Sequence, residues 1–124
     1  GTLMGVGRRL KDYNPAIQVI AIQPDSPFHG LEGLKHMPTA IKPGIYDETF
    51  ADRLLEISTE ETYAMARRLA REEGYLVGIS AAAAVVGALQ IAEELANAGE
   101  PGVIVTVLPD NAYKYLSEYA KLGF

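Results

Sequence analysis

The stretch EEGYLVGISAAAAVVGALQIAEEL, residues 72–95, decides the fold. Gly74 is a natural helix stop, and YLVGIS (75–80) is too short and too apolar to be anything but an extended connection. From Ala81 to Ala92 only Gln90 is polar, so a helix begins there that is expected to be buried nearly all round. A buried helix fed by a brief extended run belongs to a layered α/β architecture. One hydroxyl, that of Ser80, sits where the extended run becomes helix. Either it caps that helix, or it points a hydrogen bond at something held against the helix's first turn.

Working outward, Ser58 and Glu61 form a capping box that opens a helix ending at Gly74, with Tyr63, Ala66, Leu69 and Ala70 facing inward. RLLEIS (53–58) and IQVIAIQP (17–24) read as strands, the second apolar enough to be covered on both faces. Residues 2–13 repeat Leu3, Val6, Leu10 and Tyr13 at helical spacing, and Asn14-Pro15 ends that helix. Residues 25–50 have no clean period, and a loop of that length is often functional. PGVIVTVLP (101–109) reads as a third strand, and residues 110–122 as a closing helix with Asp110 as its N-cap. The order predicts an α/β fold, a mostly parallel sheet covered by helices, with residues 1–124 forming a single unit. Three such apolar strands make a thin sheet, so further strands or helices from another segment are expected to cover them.

Composition narrows the function classes. A net charge of −5 leaves no basic footprint for nucleic acid. No unbroken apolar run approaches the ~20 residues of a membrane span, and no membrane partner is expected. With no cysteine, disulfides and thiolate metal sites are excluded. His29 and His36 lie in the long loop at a spacing without a metal signature, so no metal site is expected. Together these point to a cytoplasmic protein that handles small molecules or proteins.

Gly1-Thr2 opens a helix already under way, so the chain reads as a piece whose beginning lies elsewhere. Such a pair is either an ordinary helix start or a phosphate site, built from unpaired N–H groups, a hydroxyl and the positive end of the helix dipole. Gly5-Val6-Gly7 is no dinucleotide fingerprint, because Leu10 replaces the third glycine and no strand precedes it. Gly5 and Gly7 are expected instead to let the helix lie close against a neighbour.

Four blocks in order, GTLMGVGRRLKDYNPAIQVIAIQP, GLKHMPTAIKPGIYDETFADRLLEIS, REEGYLVGISAAAAVVGAL and VIVTVLPDNAYKYLS, resemble the cysteine synthase (O-acetylserine sulfhydrylase) family. These are fold-type II pyridoxal-phosphate enzymes, of the tryptophan synthase β-like architecture. The loop block is most similar to the family's B-type branch. The resemblance implies that residues 1–124 are the C-terminal part of the larger, cofactor-gripping lobe. It implies a transferase that uses pyridoxal 5'-phosphate to make L-cysteine from O-acetylserine and sulfide. Cystathionine β-synthase and O-phosphoserine sulfhydrylase are alternatives on the same fold, and a non-catalytic fragment or partner-binding module is an alternative of another class.

The same resemblance assigns residues. Gly1 and Thr2 match the end of the family's phosphate-gripping G-T-x-G-T loop, and Ser80 matches the serine that bonds the pyridine nitrogen. Gly33 and Lys35 fall where the family's substrate loop lies, although a solvated loop lysine is the preferred reading of Lys35. Pro109 and Asp110 fall near the cofactor. No lysine here matches the family's Schiff-base lysine, which is expected upstream, so the isolated chain is expected to be inactive. The implied partners are the missing N-terminal half, a second copy in a homodimer, the amino-acid substrate and, as in some relatives, serine acetyltransferase. Two departures stand out: Ala81-Ala82 where the family has Ser-Gly, and Ala112 where it has glycine.

Overall fold

The computed structural model describes residues 1–26, 34, 37, 44 and 47–121. Strands β1 (Ile20–Pro24) and β2 (Arg53–Ile57) pair in parallel, from Ile20 opposite Arg53 to Pro24 opposite Ile57. β1 starts later than its apolar run because Val19 is held differently. Its N–H donates to the Asp52 carboxylate at 2.7 Å, and its carbonyl accepts from the Asp52 N–H at 2.8 Å. Asp52 also pairs with Lys11 at 2.7 Å, so one carboxylate ties helix α1 (Thr2–Tyr13) to the amino ends of both strands. The Lys11 ammonium, and after it the Val19 N–H, hold the Asp52 carboxyl below its ordinary pKa.

Helix α1 buries a different face from the one its large apolar residues predict. Met4 and Gly7 are buried, whereas Val6, Leu10 and Tyr13 face outward. The reason is close approach: a Cβ on Gly7 would lie 2.7 Å from the Phe50 ring and 3.1 Å from Val19. Gly5 has no such neighbour. Gly7 and Met4, not Val6, Leu10 and Tyr13, make the packed face.

Helix α2 (Thr59–Glu73) keeps its glycine stop and the Ser58 half of its expected capping box. Ser58 accepts the Glu61 N–H at 3.1 Å, and Gly74 closes the helix at φ 73°. Its face carrying Thr62 and Ala66 is buried, and it packs on α3 (Ile79–Asn97) through Ala66, Ile79, Ala81 and Ala82. By length and composition α3 is apolar enough to cross a membrane, although Gln90 and its terminal glutamates interrupt the apolar run. Its first half is nonetheless spent on packing: Ile79 to Ala83, Val86 and Gly87 are all buried. Burial does not continue all round to Ala92, and Leu89 is exposed.

The expected strand over 101–109 does not form. After Gly99 (φ 68°) turns the chain, Val103 and Val105 are 93% and 79% exposed and pair with no strand among the described residues. β-branched residues make this segment extended, but a strand exists only where a neighbour's N–H and C=O groups answer its own. The closing helix is also shorter than expected. A 3-10 turn (Ala112–Tyr115) precedes α4 (Leu116–Lys121), and the cap is Asn111, which accepts the Tyr113 N–H at 2.9 Å. Asp110 does not cap, because its backbone and carboxylate are both committed against Gly78.

Two measurements test this packing. A Cβ at Gly87 would sit 2.9 Å from Ile22 Cγ2, a stiff β-branched methyl, so Gly87→Ala is expected to cost about 1–3 kcal/mol in denaturant unfolding. Asp52, whose folded pKa is depressed, stabilises the fold above the ordinary carboxylate range and loses that contribution as pH falls through its folded pKa. Asp52→Asn should therefore flatten the acid limb of a stability–pH curve below about pH 4, while wild type keeps its slope.

Candidate functional site

The direction of α3 follows from three contacts. Arg53, the first residue of β2, pairs with Glu94 near the end of α3 at 2.6 Å. Gly87, midway along the helix, lies against Ile22 and Leu55, and Ala83 shares a core cluster with Ile57, the last residue of β2. The helix therefore runs antiparallel to the strands, and its first turn stands at their carboxyl ends. In open α/β sheets that edge is where ligands bind.

Ser80 lies in that first turn and is 8% exposed. The N-cap is Gly78, and no side chain caps the helix, so the capping explanation of Ser80 is corrected. Capping needs an oxygen one step outside the helix, and the chain turns helical too early for Ser80 to supply it. Among the described residues nothing hydrogen-bonds the Ser80 hydroxyl. The N–H groups of Ile79, Ser80 and Ala81 also stand ahead of the first intrahelical bond, which runs from the Ala82 N–H to the Gly78 carbonyl at 3.1 Å.

The residues before Ser80 are gripped by the C-terminal segment. The Gly78 N–H donates to the Asp110 carbonyl at 3.0 Å, and the Ala112 N–H donates to the Leu76 carbonyl at 3.1 Å. This pair brackets an antiparallel bridge between Val77 and Asn111. The Val77 carbonyl accepts from the Tyr119 hydroxyl, and both residues are buried. The Asp110 carboxylate packs onto Gly78 so closely that a Cβ there would fall 1.7 Å from Oδ1. Asp110 thus stands at the mouth of α3, while its neighbour Pro109 is exposed.

Gly1 is the N-cap of α1 and Thr2 its first residue; both are exposed. No hydrogen bond or ion pair joins either to Ser80. The start of α1 lies about 9 Å along the helix axis from Gly7, at 1.5 Å per residue. Gly33 and Lys35, with His29 and His36, fall outside the described residues. Ala81, Ala82 and Ala112, the departures from the family pattern, are all buried in the core cluster that contains Val77 and Tyr119. Their methyl groups fill protein interior. The sequence reading does not single out Gly78 or Tyr119, since a glycine before a helix and a tyrosine within one have no distinctive local pattern. An open groove of about 180 Å³ between α2 and α3, lined in part by Met65, Arg68 and Leu89, lies further along α3 than this first turn.

Residues 1–110 match the family model described as "Pyridoxal-phosphate dependent enzyme". A cysteine synthase of Aquifex aeolicus is 58% identical over 117 residues, covering 94% of this chain and 36% of that protein. An O-ureido-L-serine-bound mutant of O-ureido-L-serine synthase superposes with a TM-score of 0.84 at 36% identity, over 98% of this chain and 39% of its own. O-acetyl serine sulfhydrylase isoform 3 of Entamoeba histolytica superposes with a TM-score of 0.81 at 30% identity, over 94% and 36%. The chain thus spans little more than a third of the length of the proteins it matches. The parallel pairing of β1 and β2, α3 laid back across them and the match over residues 1–110 agree: this chain belongs to the pyridoxal-phosphate-dependent enzyme family and has its fold-type II α/β architecture.

Proposed function

We propose that this chain is the C-terminal part of the cofactor-binding lobe of a cysteine synthase, which forms L-cysteine from O-acetylserine and sulfide by β-replacement. The observation that carries the reading is Ser80, a hydroxyl without a protein partner among the described residues, in the first turn of a helix at the carboxyl edge of the sheet. The 58% identity to a cysteine synthase supports the choice of reaction.

The residues present fit part of pyridoxal phosphate. When bound, that group supplies the electron sink for expelling a substituent from an amino acid's β-carbon. Ser80 would hold its ring nitrogen. A hydroxyl both donates and accepts, so it serves that nitrogen in either protonation state, where a carboxylate would fix the proton. The α3 dipole, positive at Ser80, would work against a proton on that nitrogen, and the Asp110 carboxylate against Gly78 would offset part of that field. Gly1 and Thr2 would hold the phosphate through N–H groups, a hydroxyl and the α1 dipole. Gly33 and Lys35 would border the substrate.

The covalent lysine would come from outside residues 1–124. Lys11 is engaged with Asp52 at the opposite edge of the sheet from Ser80, so it is badly placed for the role. The complete enzyme would be a cytoplasmic homodimer, with serine acetyltransferase as a further partner.

Two experiments test the reading. Co-expressed with the N-terminal half of a cysteine synthase, the chain should yield a yellow protein that converts O-acetylserine and sulfide to cysteine. The chain by itself should turn over nothing, and a colourless, inactive assembly would refute the proposal. In the complete enzyme Ser80→Ala should leave stability within about 0.5 kcal/mol, because alanine is the better helix former and no cap is lost. Cofactor absorption and turnover should change markedly. A stability loss near 1 kcal/mol with unaltered absorption would restore the capping explanation.

A further inference from the structure

The C-terminal segment holds one short piece of extended chain from two sides. In an extended strand, successive residues direct their N–H and C=O groups to opposite sides. The Leu76 carbonyl and the Gly78 N–H face residues 110–112 and are bonded there. The Val77 carbonyl points the other way, and the Tyr119 hydroxyl takes it. Tyr119 is 3% exposed and packs in the cluster of Val77, Ile79, Ala81, Ala82 and Ala112. One chain segment thus closes around Val77, immediately before α3 begins.

What this fixes is the phase of α3. Each residue of an α-helix advances the side-chain direction by about 100°, from 3.6 residues per turn. Where the chain leaves the extended state at Gly78 therefore decides where the Ser80 hydroxyl points. Gly78 has no side-chain cap to set that position. The backbone bridge fixes the distance to residues 110–112, but it leaves the strand free to roll about that line. A bond on the opposite side removes the roll.

We propose that Tyr119 is a positioning residue for Ser80: through its hydrogen bond to the Val77 carbonyl it sets the direction in which α3 presents the Ser80 hydroxyl to the pyridine ring. The inference rests on the reading of Ser80 as the ring-nitrogen partner, and it adds a residue that touches neither cofactor nor substrate.

The test is a double-mutant cycle in the complete, cofactor-loaded enzyme, with Tyr119→Phe, Ser80→Ala and the pair. Tyr119→Phe keeps the ring in the core and removes only the oxygen. It should weaken pyridoxal-phosphate affinity about fivefold to tenfold, the size of one buried hydrogen bond, and shift the visible absorption of the bound cofactor. In the Ser80→Ala background the same change should have no further effect on either quantity. Equal losses in both backgrounds would make Tyr119 a structural residue only and overturn the proposal. Should Tyr119→Phe fold poorly, Tyr119→4-fluorophenylalanine, which fills the place of the hydroxyl but cannot donate to the Val77 carbonyl, gives the same cycle. A wild-type enzyme that binds cofactor but shows no spectral change with Ser80→Ala refutes the parent reading instead, and this inference with it.

Discussion

The close approach of α3 to the β1–β2 ladder is the constraint on which the rest depends. Helix and sheet meet through Ala83 and Gly87, and at Gly87 even a methyl group would strike Ile22. Small residues at the contact let the helix backbone lie near the strands, where Ile22, Leu55 and Ile57 supply the bulk. The ion pair of Arg53 with Glu94 is too exposed to contribute much energy, but it marks the far end of the same alignment. Direction and depth of α3 are therefore set by shape. Its first turn falls at the carboxyl ends of the strands as a result, not as a separate feature.

That first turn is then secured by contacts from the end of the chain. The bridge of Val77 with Asn111, the carbonyl of Asp110 and the hydroxyl of Tyr119 all act on residues 76–78. They are long-range bonds, and they bring the negative carboxylate of Asp110 to the positive end of a 19-residue helix. Positions far apart in sequence thus become one local environment. A glycine at 78 is a requirement of that environment, because any side chain there would occupy the place of Asp110.

Much of this was legible in the sequence, for identifiable reasons. The capping of α2 by Ser58 and its closure at Gly74 are local chemistry, and local chemistry survives folding. The two paired strands were legible because short β-branched runs between turn residues have few alternatives. The face of α1 was misread because periodicity weighs large apolar residues, while the contact with Phe50 and Val19 is made by Gly7. The segment 101–109 was misread because strand propensity describes one chain and a strand needs two. Asp110 and Asn111 are equal as caps by type, and only the tertiary bond to Gly78 separates them. Ser80 stands out in the sequence as a lone hydroxyl, but its position within the helix, after the Gly78 N-cap, decides against the cap.

The argument for Ser80 is finally one of replacement. Residues 81 to 84 are all alanine, and Ala81, Ala82 and Ala83 are completely buried, so the helix tolerates methyl groups in this turn. Alanine at position 80 would favour the helix by a few tenths of a kcal/mol and would remove a hydroxyl that finds no bond among the described residues. Neither packing nor helix formation therefore asks for serine. A hydroxyl placed where stability does not require it is best accounted for by something outside the chain that needs a donor or an acceptor. Under the proposed function the ring nitrogen of pyridoxal phosphate would be a group of that kind at the carboxyl edge of this sheet, and Ser80 would meet it.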